Sequence, residues 1–186
     1  MVIKKSERIV GKTLVFRDAG INDADFIYSL RVDEEKSRHL SKVSGELESQ
    51  IRWLREYEGR SNEAYFIISS LENIPFGTVR LYGADKDRFC WGSWIMINGA
   101  PPHAAIESAM MVYEYAINHL GFNSAYFQVH KSNQSVWKFH ERFGAERTKE
   151  DEVQYHYTLS REAINASMNR YRRYLVDGIV VQGGKS

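Results

Sequence analysis

The tract from Tyr65 to His130 changes hydrophobic period twice, and this restricts the fold more than any other feature of the chain. Tyr65-Phe66-Ile67-Ile68 is a short continuous apolar run, the pattern of a strand covered on both faces. Phe76 to Tyr82 alternates, with Gly77, Val79 and Leu81 on one face and Thr78, Arg80 and Tyr82 on the other. Asn73-Ile74-Pro75 between the two runs fits a hairpin turn. Phe89 to Ile97 reads as a further strand, setting Trp91, Ser93, Ile95 and Ile97 against Cys90, Gly92, Trp94 and Met96. The period then becomes helical. Ile106, Met110, Tyr113, Ile117 and Leu120 recur at alternating spacings of four and three, and Gly121 stands where a left-handed cap belongs. Ser124 to His130 returns to a strand. A helix between two strands implies a crossover between parallel neighbours, whereas the preceding strands are joined too tightly to be anything but antiparallel.

The flanking segments complete the pattern. Val10 to Arg17 predicts a first strand, Asn22 starts a helix carrying Ile27 and Leu30, and Glu46 to Tyr57 a second helix. Beyond His130, the sequence predicts a short helix over Asn133–Phe143 capped by Gly144, a strand over Val153–Leu159 and an amphipathic helix over Ala163–Leu175. The fold class is therefore α/β (α+β): a mixed, mostly antiparallel central sheet with helices on its flanks. Its parallel pair falls at the split between the fourth strand, Phe89–Ile97, and the fifth, Ser124–His130.

Composition narrows the class. A chain of 186 residues buries roughly 70% of its unfolded surface and needs no metal or disulfide staple. We expect a single domain over residues 1–175 and a C-terminal tail over 176–186, with Gln182 to Ser186 frayed. Lys plus Arg number 25 and Asp plus Glu 24, a net charge of +1 that offers no field for nucleic acid or an anionic membrane. The N-terminus lacks the apolar stretch of a signal peptide, and no apolar run approaches the roughly 18 residues of a membrane span. Cys90 is the only cysteine, which fits a reducing cytoplasm. No His/Cys cluster has metal-ligand spacing, so no metal is expected.

Two segments point to chemistry. The loop Gly99-Ala100-Pro101-Pro102-His103-Ala104-Ala105-Ile106-Glu107 joins a strand to a long helix. Free N–H groups at such a junction suit a phosphate, although every strand-to-helix connection has them. Glu107 is either a base or a complement to the helix dipole, and the second reading is favoured. The other segment, Asn133-Gln134-Ser135-Val136-Trp137-Lys138-Phe139-His140-Glu141-Arg142-Phe143-Gly144-Ala145, directly follows a strand.

Together these motifs resemble the GNAT superfamily of acyl-CoA-dependent N-acetyltransferases, over roughly residues 10–160. The family's usual form of the second segment is N-x-x-A-x-x-x-Y-x-K-x-G-F. The resemblance implies acetyl-CoA as co-substrate, with its pantetheine arm between the two central parallel strands against the backbone of Ile95 and Ile97. It implies that the N–H groups of His103, Ala104, Ala105 and Ile106 hold the pyrophosphate, and that Asn133 and Lys138 contact the cofactor. His103 replaces a loop glycine of the family, whose lack of a side chain lets backbone approach phosphate. His140 stands where the family most often has the tyrosine that protonates the departing thiolate. An imidazole near pKa 6.5 suits that work at neutral pH, and plain packing is the alternative. His130, at a strand end, is either a general base for the attacking amine or structural. His39, His119 and His156 read as surface or local hydrogen-bonding residues.

The acceptor side follows the same logic. In the family the N-terminal helices cover the substrate, which puts Arg31 and Arg38 in range of a phosphate or carboxylate, or else leaves them as solvated helix charges. Arg80, Tyr82 and Trp94 are further substrate candidates, although a Trp in a sheet is usually core. The resemblance implies transfer of an acetyl group to the primary amine of a small molecule, with a nucleotide-linked amino sugar first in line. Two alternatives stand beside it. One is acetylation of a protein N-terminus, as in ribosomal-protein acetyltransferases; the other is a GNAT-fold binding module without catalysis. The oligomeric state, a homodimer included, stays open.

Overall fold

The computed structural model describes residues 1–32 and 46–184. Arg38 and His39 lie outside the described residues. The chain order is β1 (Ser6–Val10), β2 (Leu14–Asp18), α1 (Ala24–Val32), α2 (Leu47–Glu58), β3 (Ala64–Ser70), β4 (Pro75–Asp85), β5 (Arg88–Met96), α3 (Ala104–Glu114), β6 (Ser124–His130), α4 (Gln134–Arg142), β7 (Glu146–Glu150), β8 (Gln154–Ser160), α5 (Arg161–Arg170) and β9 (Val180–Gly184). Among the described residues these strands form one sheet in the order β7-β8-β6-β5-β4-β3-β2-β1-β9. No helix of the described residues is long and apolar enough to cross a membrane.

Alternation along β3 explains its continuous apolar run. Phe66 and Ile68 face α3 with Phe16, Leu14 and Tyr113, while Tyr65 and Ile67 face α1 and α2 through Ile27, Leu54 and Tyr57. Each such side chain taken fully from water contributes roughly 1.5–3 kcal/mol, so both layers of helices are held by the same strand.

The split in the sheet has a local cause. β5 pairs with β6 in parallel only at Arg88–Ser124 and Phe89–Ala125, while β6 stays paired with β8 along its whole length, from Ser124–Ser160 to His130–Gln154. On its other edge β5 follows β4 through a bulge: Thr78 pairs with Ile95 and Arg80 with Gly92, so β5 spends one more residue than β4. Ser93 takes the strained backbone there, with φ +47°, and its carbonyl accepts the Thr78 hydroxyl at 2.8 Å. β5 and β6 therefore diverge past Phe89, each held to a different neighbour.

Several expectations are corrected. Val10–Arg17 is not one strand: a turn at Gly11-Lys12-Thr13, closed by the Gly11 N–H on the Leu14 carbonyl at 2.9 Å, folds it into the β1–β2 hairpin. The end of the chain is not a frayed tail as far as Gly184, because β9 pairs antiparallel with β1 from Val180–Val10 to Gly184–Ser6. β7 escapes the sequence pattern altogether, being wholly exposed and held by backbone pairing with β8. The helix after the loop ends its α-helical part at Glu114 and continues as a π-helical turn over Tyr115–His119 before Gly121, whose φ is +84°. Ala163–Leu175 divides into α5 and a 3-10 turn over Arg172–Tyr174.

Candidate active site

The cleft between the diverging strands is lined by Trp91, Ser93 and Trp94 from β5, by Phe127 and His130 from β6, and by Asn133 and His140 around α4. The bulge shapes its wall. A strict two-residue period would put Trp91 and Trp94 on opposite faces, yet their rings lie 5.3 Å apart and both indoles reach α3. Trp91 Nε1 donates to the Tyr113 hydroxyl at 3.2 Å and Trp94 Nε1 to the Ser108 hydroxyl at 3.1 Å. Trp94 thus lines the cleft while tied to the helix behind it.

His140 packs among aromatic rings: Phe127 at 4.1 Å, Trp91 at 5.2 Å and Phe139 at 5.7 Å between centroids. It is 5% exposed, and Nδ1 is buried without a hydrogen-bond partner. Removal from water pushes its pKa down to about 3. Burial thus favours the neutral imidazole over the protonated form that the family's acid role implies. Nε2 is the nitrogen left to serve the cleft.

His130 is half-buried, and its Nδ1 accepts the Ser132 N–H at 3.3 Å, with the Ser132 hydroxyl 2.6 Å away. Both contacts engage Nδ1 and hold the ring at the end of β6. Asn133 caps α4, its carbonyl accepting the Trp137 N–H at 3.1 Å and its side chain the Ser135 hydroxyl at 3.2 Å. Lys138 points elsewhere. It is exposed on α4, bonded to Gln134 at 3.4 Å and placed over the Trp137 ring.

Register revises the backbone positions. The Ile97 N–H donates to the Phe76 carbonyl at 2.7 Å, and Ile95 pairs with Thr78 two residues earlier, so both peptide groups face β4. The alternation of the ladder leaves the Met96 peptide directed toward the cleft side instead. In the loop, Gly99 adopts φ +86°, which only glycine takes without strain. The Ala104 N–H is committed to the Pro101 carbonyl at 2.8 Å, while the N–H groups of Ala105 and Ile106 meet no acceptor among the described residues. The His103 N–H is open in the same way, so three of the four loop donors that the resemblance implies are uncommitted among the described residues.

His103 and Glu107 are brought to Thr13. The Glu107 carboxylate accepts the Thr13 N–H at 2.6 Å, the Leu14 N–H at 3.0 Å and the Thr13 hydroxyl at 2.6 Å. His103 Nε2 lies 2.8 Å from the same hydroxyl. Glu107 is therefore a latch between α3 and the β1–β2 hairpin, neither a base nor merely a dipole partner. Nothing in the local sequence signals this, since Thr13 stands about ninety residues away.

Arg31, Arg80 and Tyr82 are not among the residues that line the cleft. Arg80 pairs with Glu63 through Nε at 2.7 Å and lies over the rings of Trp53 and Tyr82, so its charge is already matched. Tyr82 sits beside Cys90, and burial raises its hydroxyl pKa. Arg31 approaches Tyr65 under α1, where burial outweighs the arginine's charge and raises the phenol pKa.

The sheet thus opens between two parallel strands, with a strand-to-helix loop at one strand's end and a histidine-bearing helix beside the other. A family model described as an acetyltransferase (GNAT) domain matches residues 13–146, and the chain belongs to the GNAT family of N-acetyltransferases. FdhC, described as a nucleotide-linked sugar GNAT in its apo form, is 35% identical, with a TM-score of 0.80 over 94% of this chain and 99% of that one. A GNAT-family acetyltransferase from Bacillus anthracis is 15% identical, with a TM-score of 0.72 over 83% of this chain and 99% of its own. The spermidine/spermine N-acetyltransferase SpeG from Vibrio cholerae shares the fold at 13% identity and a TM-score of 0.68, over 85% of this chain and 98% of its own. No curated protein matches the chain by sequence.

Proposed function

We propose that this acetyltransferase acts on the amino group of a nucleotide-linked sugar, with acetyl-CoA as donor. The observation that carries the acceptor class is the likeness to FdhC, which extends over nearly the full length of both chains. Acetyl-CoA supplies an acyl group activated as a thioester. The His103, Ala105 and Ile106 N–H groups suit its diphosphate, and the open Met96 edge of β5 suits its amide-bearing arm.

Transfer forms the N–C bond and breaks the C–S bond; the acceptor nitrogen gives its proton to solvent, and the sulfur leaves as a thiolate that takes a proton from solvent. His140, being neutral, contributes a hydrogen bond from Nε2 toward the charge that develops on sulfur, in a dry aromatic setting where such a bond is strong. His130 lines the same cleft beside Asn133. Asn133, at the start of α4, serves the donor's arm.

Incubation of the protein with acetyl-CoA and a panel of dTDP- and UDP-linked amino sugars, polyamines and N-terminal peptides, followed by mass spectrometry, tests the acceptor. A mass gain confined to amino sugars is expected. Turnover of polyamines or peptides with no amino-sugar product overturns the proposal.

A further inference from the structure

A second pocket opens on α3 away from the aromatic wall of the cleft, where the β1–β2 turn, the first turn of α3 and the 3-10 turn Arg172–Tyr174 meet. Its walls are Lys12, Thr13, His103, Glu107, Arg173 and Tyr174, and its volume is about 320 Å³, at the lower end of the roughly 300–1,000 Å³ of ligand pockets. We propose that it binds a phosphoryl group, held by Lys12 and Arg173.

Charge is the first argument. Lys12 gives one proton to the Arg173 carbonyl at 2.8 Å and keeps two. Arg173 gives one from Nη2 to the Tyr174 hydroxyl at 2.8 Å and keeps the rest of its donors. No carboxylate pairs with either side chain among the described residues. The pocket's own carboxylate, Glu107, is spent on the three Thr13 and Leu14 donors and is 1% exposed. The donors left over are cationic, and a tetrahedral oxyanion matches several such donors at once.

Orientation is the second. The Thr13 hydroxyl has one proton, and it goes to Glu107 Oε2. The 2.8 Å contact with His103 is therefore made by His103 Nε2–H donating to the Thr13 oxygen. Glu107 and Thr13 thus fix the tautomer of His103, whose remaining Nδ1 is an acceptor, so His103 shapes the pocket wall while Lys12 and Arg173 supply the donors. Three segments far apart in the chain converge on one small pocket, and a single ligand phosphoryl group would tie them together.

Both substrates of the proposed reaction carry phosphoryl groups, so the pocket rests on that reading only for the choice of probes. Isothermal titration of the full chain with CoA, dephospho-CoA and dTDP compares wild type with Lys12→Gln/Arg173→Gln, both exposed positions. At least one probe should bind the double variant about tenfold or more weakly than wild type. Loss for CoA alone assigns the carrier's 3′-phosphate; loss for CoA and dephospho-CoA together assigns its diphosphate. Loss for dTDP alone assigns the acceptor. If the double variant does not fold, each single substitution carries the test. Wild-type affinity for all three probes in a folded variant, or no binding of any probe by wild type, overturns the proposal. Failure of the acceptor panel leaves this outcome untouched.

Discussion

The imidazole of His140 lies against the phenyl ring of Phe127, 4.1 Å between centroids, with Nδ1 facing no partner. That contact decides the protonation state of the one histidine the cleft buries, and two predictions come from it.

Acid should destabilise the protein through this residue. Its pKa is about 3 when folded, against 6.5 for the exposed side chain, so the unfolded chain binds the extra proton between those values. The contribution is fully present above pH 6.5 and is lost as pH falls, by up to roughly 1.4 kcal/mol per unit until pH nears 3. Urea unfolding of wild type and His140→Phe at pH 7, 6, 5 and 4 checks this. The variant should lose less stability on acidification, and parallel losses would remove His140 as the cause.

Catalysis should depend on a neutral donor. His140→Phe keeps the ring packing and removes Nε2–H, and should lower kcat about a hundredfold. His140→Gln restores an uncharged donor and should recover most of that loss. Saturating-substrate kinetics over pH 5.5–8 should show no inflection that the Phe variant abolishes. If Gln is as inactive as Phe, a charged acid is at work and the neutral-donor role falls.

The bulge at Ser93 should be sensitive to backbone type rather than to chemistry. At φ +47° a β-branched residue is strained, so Ser93→Val should destabilise by about 1–3 kcal/mol and Ser93→Gly should change stability little. Thermal melts separate the two. Equal loss in both variants would instead assign the effect to the missing hydroxyl.

CoA should raise the melting temperature, because a ligand that binds only the folded state stabilises it by mass action. At about 100 times its dissociation constant the gain is roughly 2.7 kcal/mol, or about 5–10 °C for a domain of this size. Differential scanning fluorimetry at rising CoA measures it. A flat response to millimolar CoA would show that the loop donors at His103, Ala105 and Ile106 do not engage it.

Glu107→Gln should cost about 1–3 kcal/mol, since a charged acceptor of three hydrogen bonds becomes a neutral amide. Chemical denaturation reads the loss directly, and an unchanged midpoint would reject the latch.

Much of the architecture is legible along the chain because its determinants are local. The double-faced run at Tyr65–Ile68, the helical spacing from Ile106 to Leu120 and the glycines at 121 and 144 each act within a few residues, where periodicity and φ preference suffice. The same holds for the segment from Asn133 to Ala145, whose motif carries the family resemblance. What tertiary structure alone decided depends on partners distant in sequence. β7 has no hydrophobic signature and exists because β8 offers it hydrogen bonds, and the short run Ile179-Val180-Val181 becomes β9 because β1 offers it an edge. The bulge at Ser93 moves Trp94 onto the face of Trp91 and turns the Met96 peptide, not those of Ile95 and Ile97, toward the cleft. Arg80 is claimed by Glu63, Glu107 by Thr13, and His140 by a box of rings drawn from β5, β6 and α4. A side chain's type can be read from one position, but its charge state and its free hydrogen bonds are set by whatever the fold packs against it.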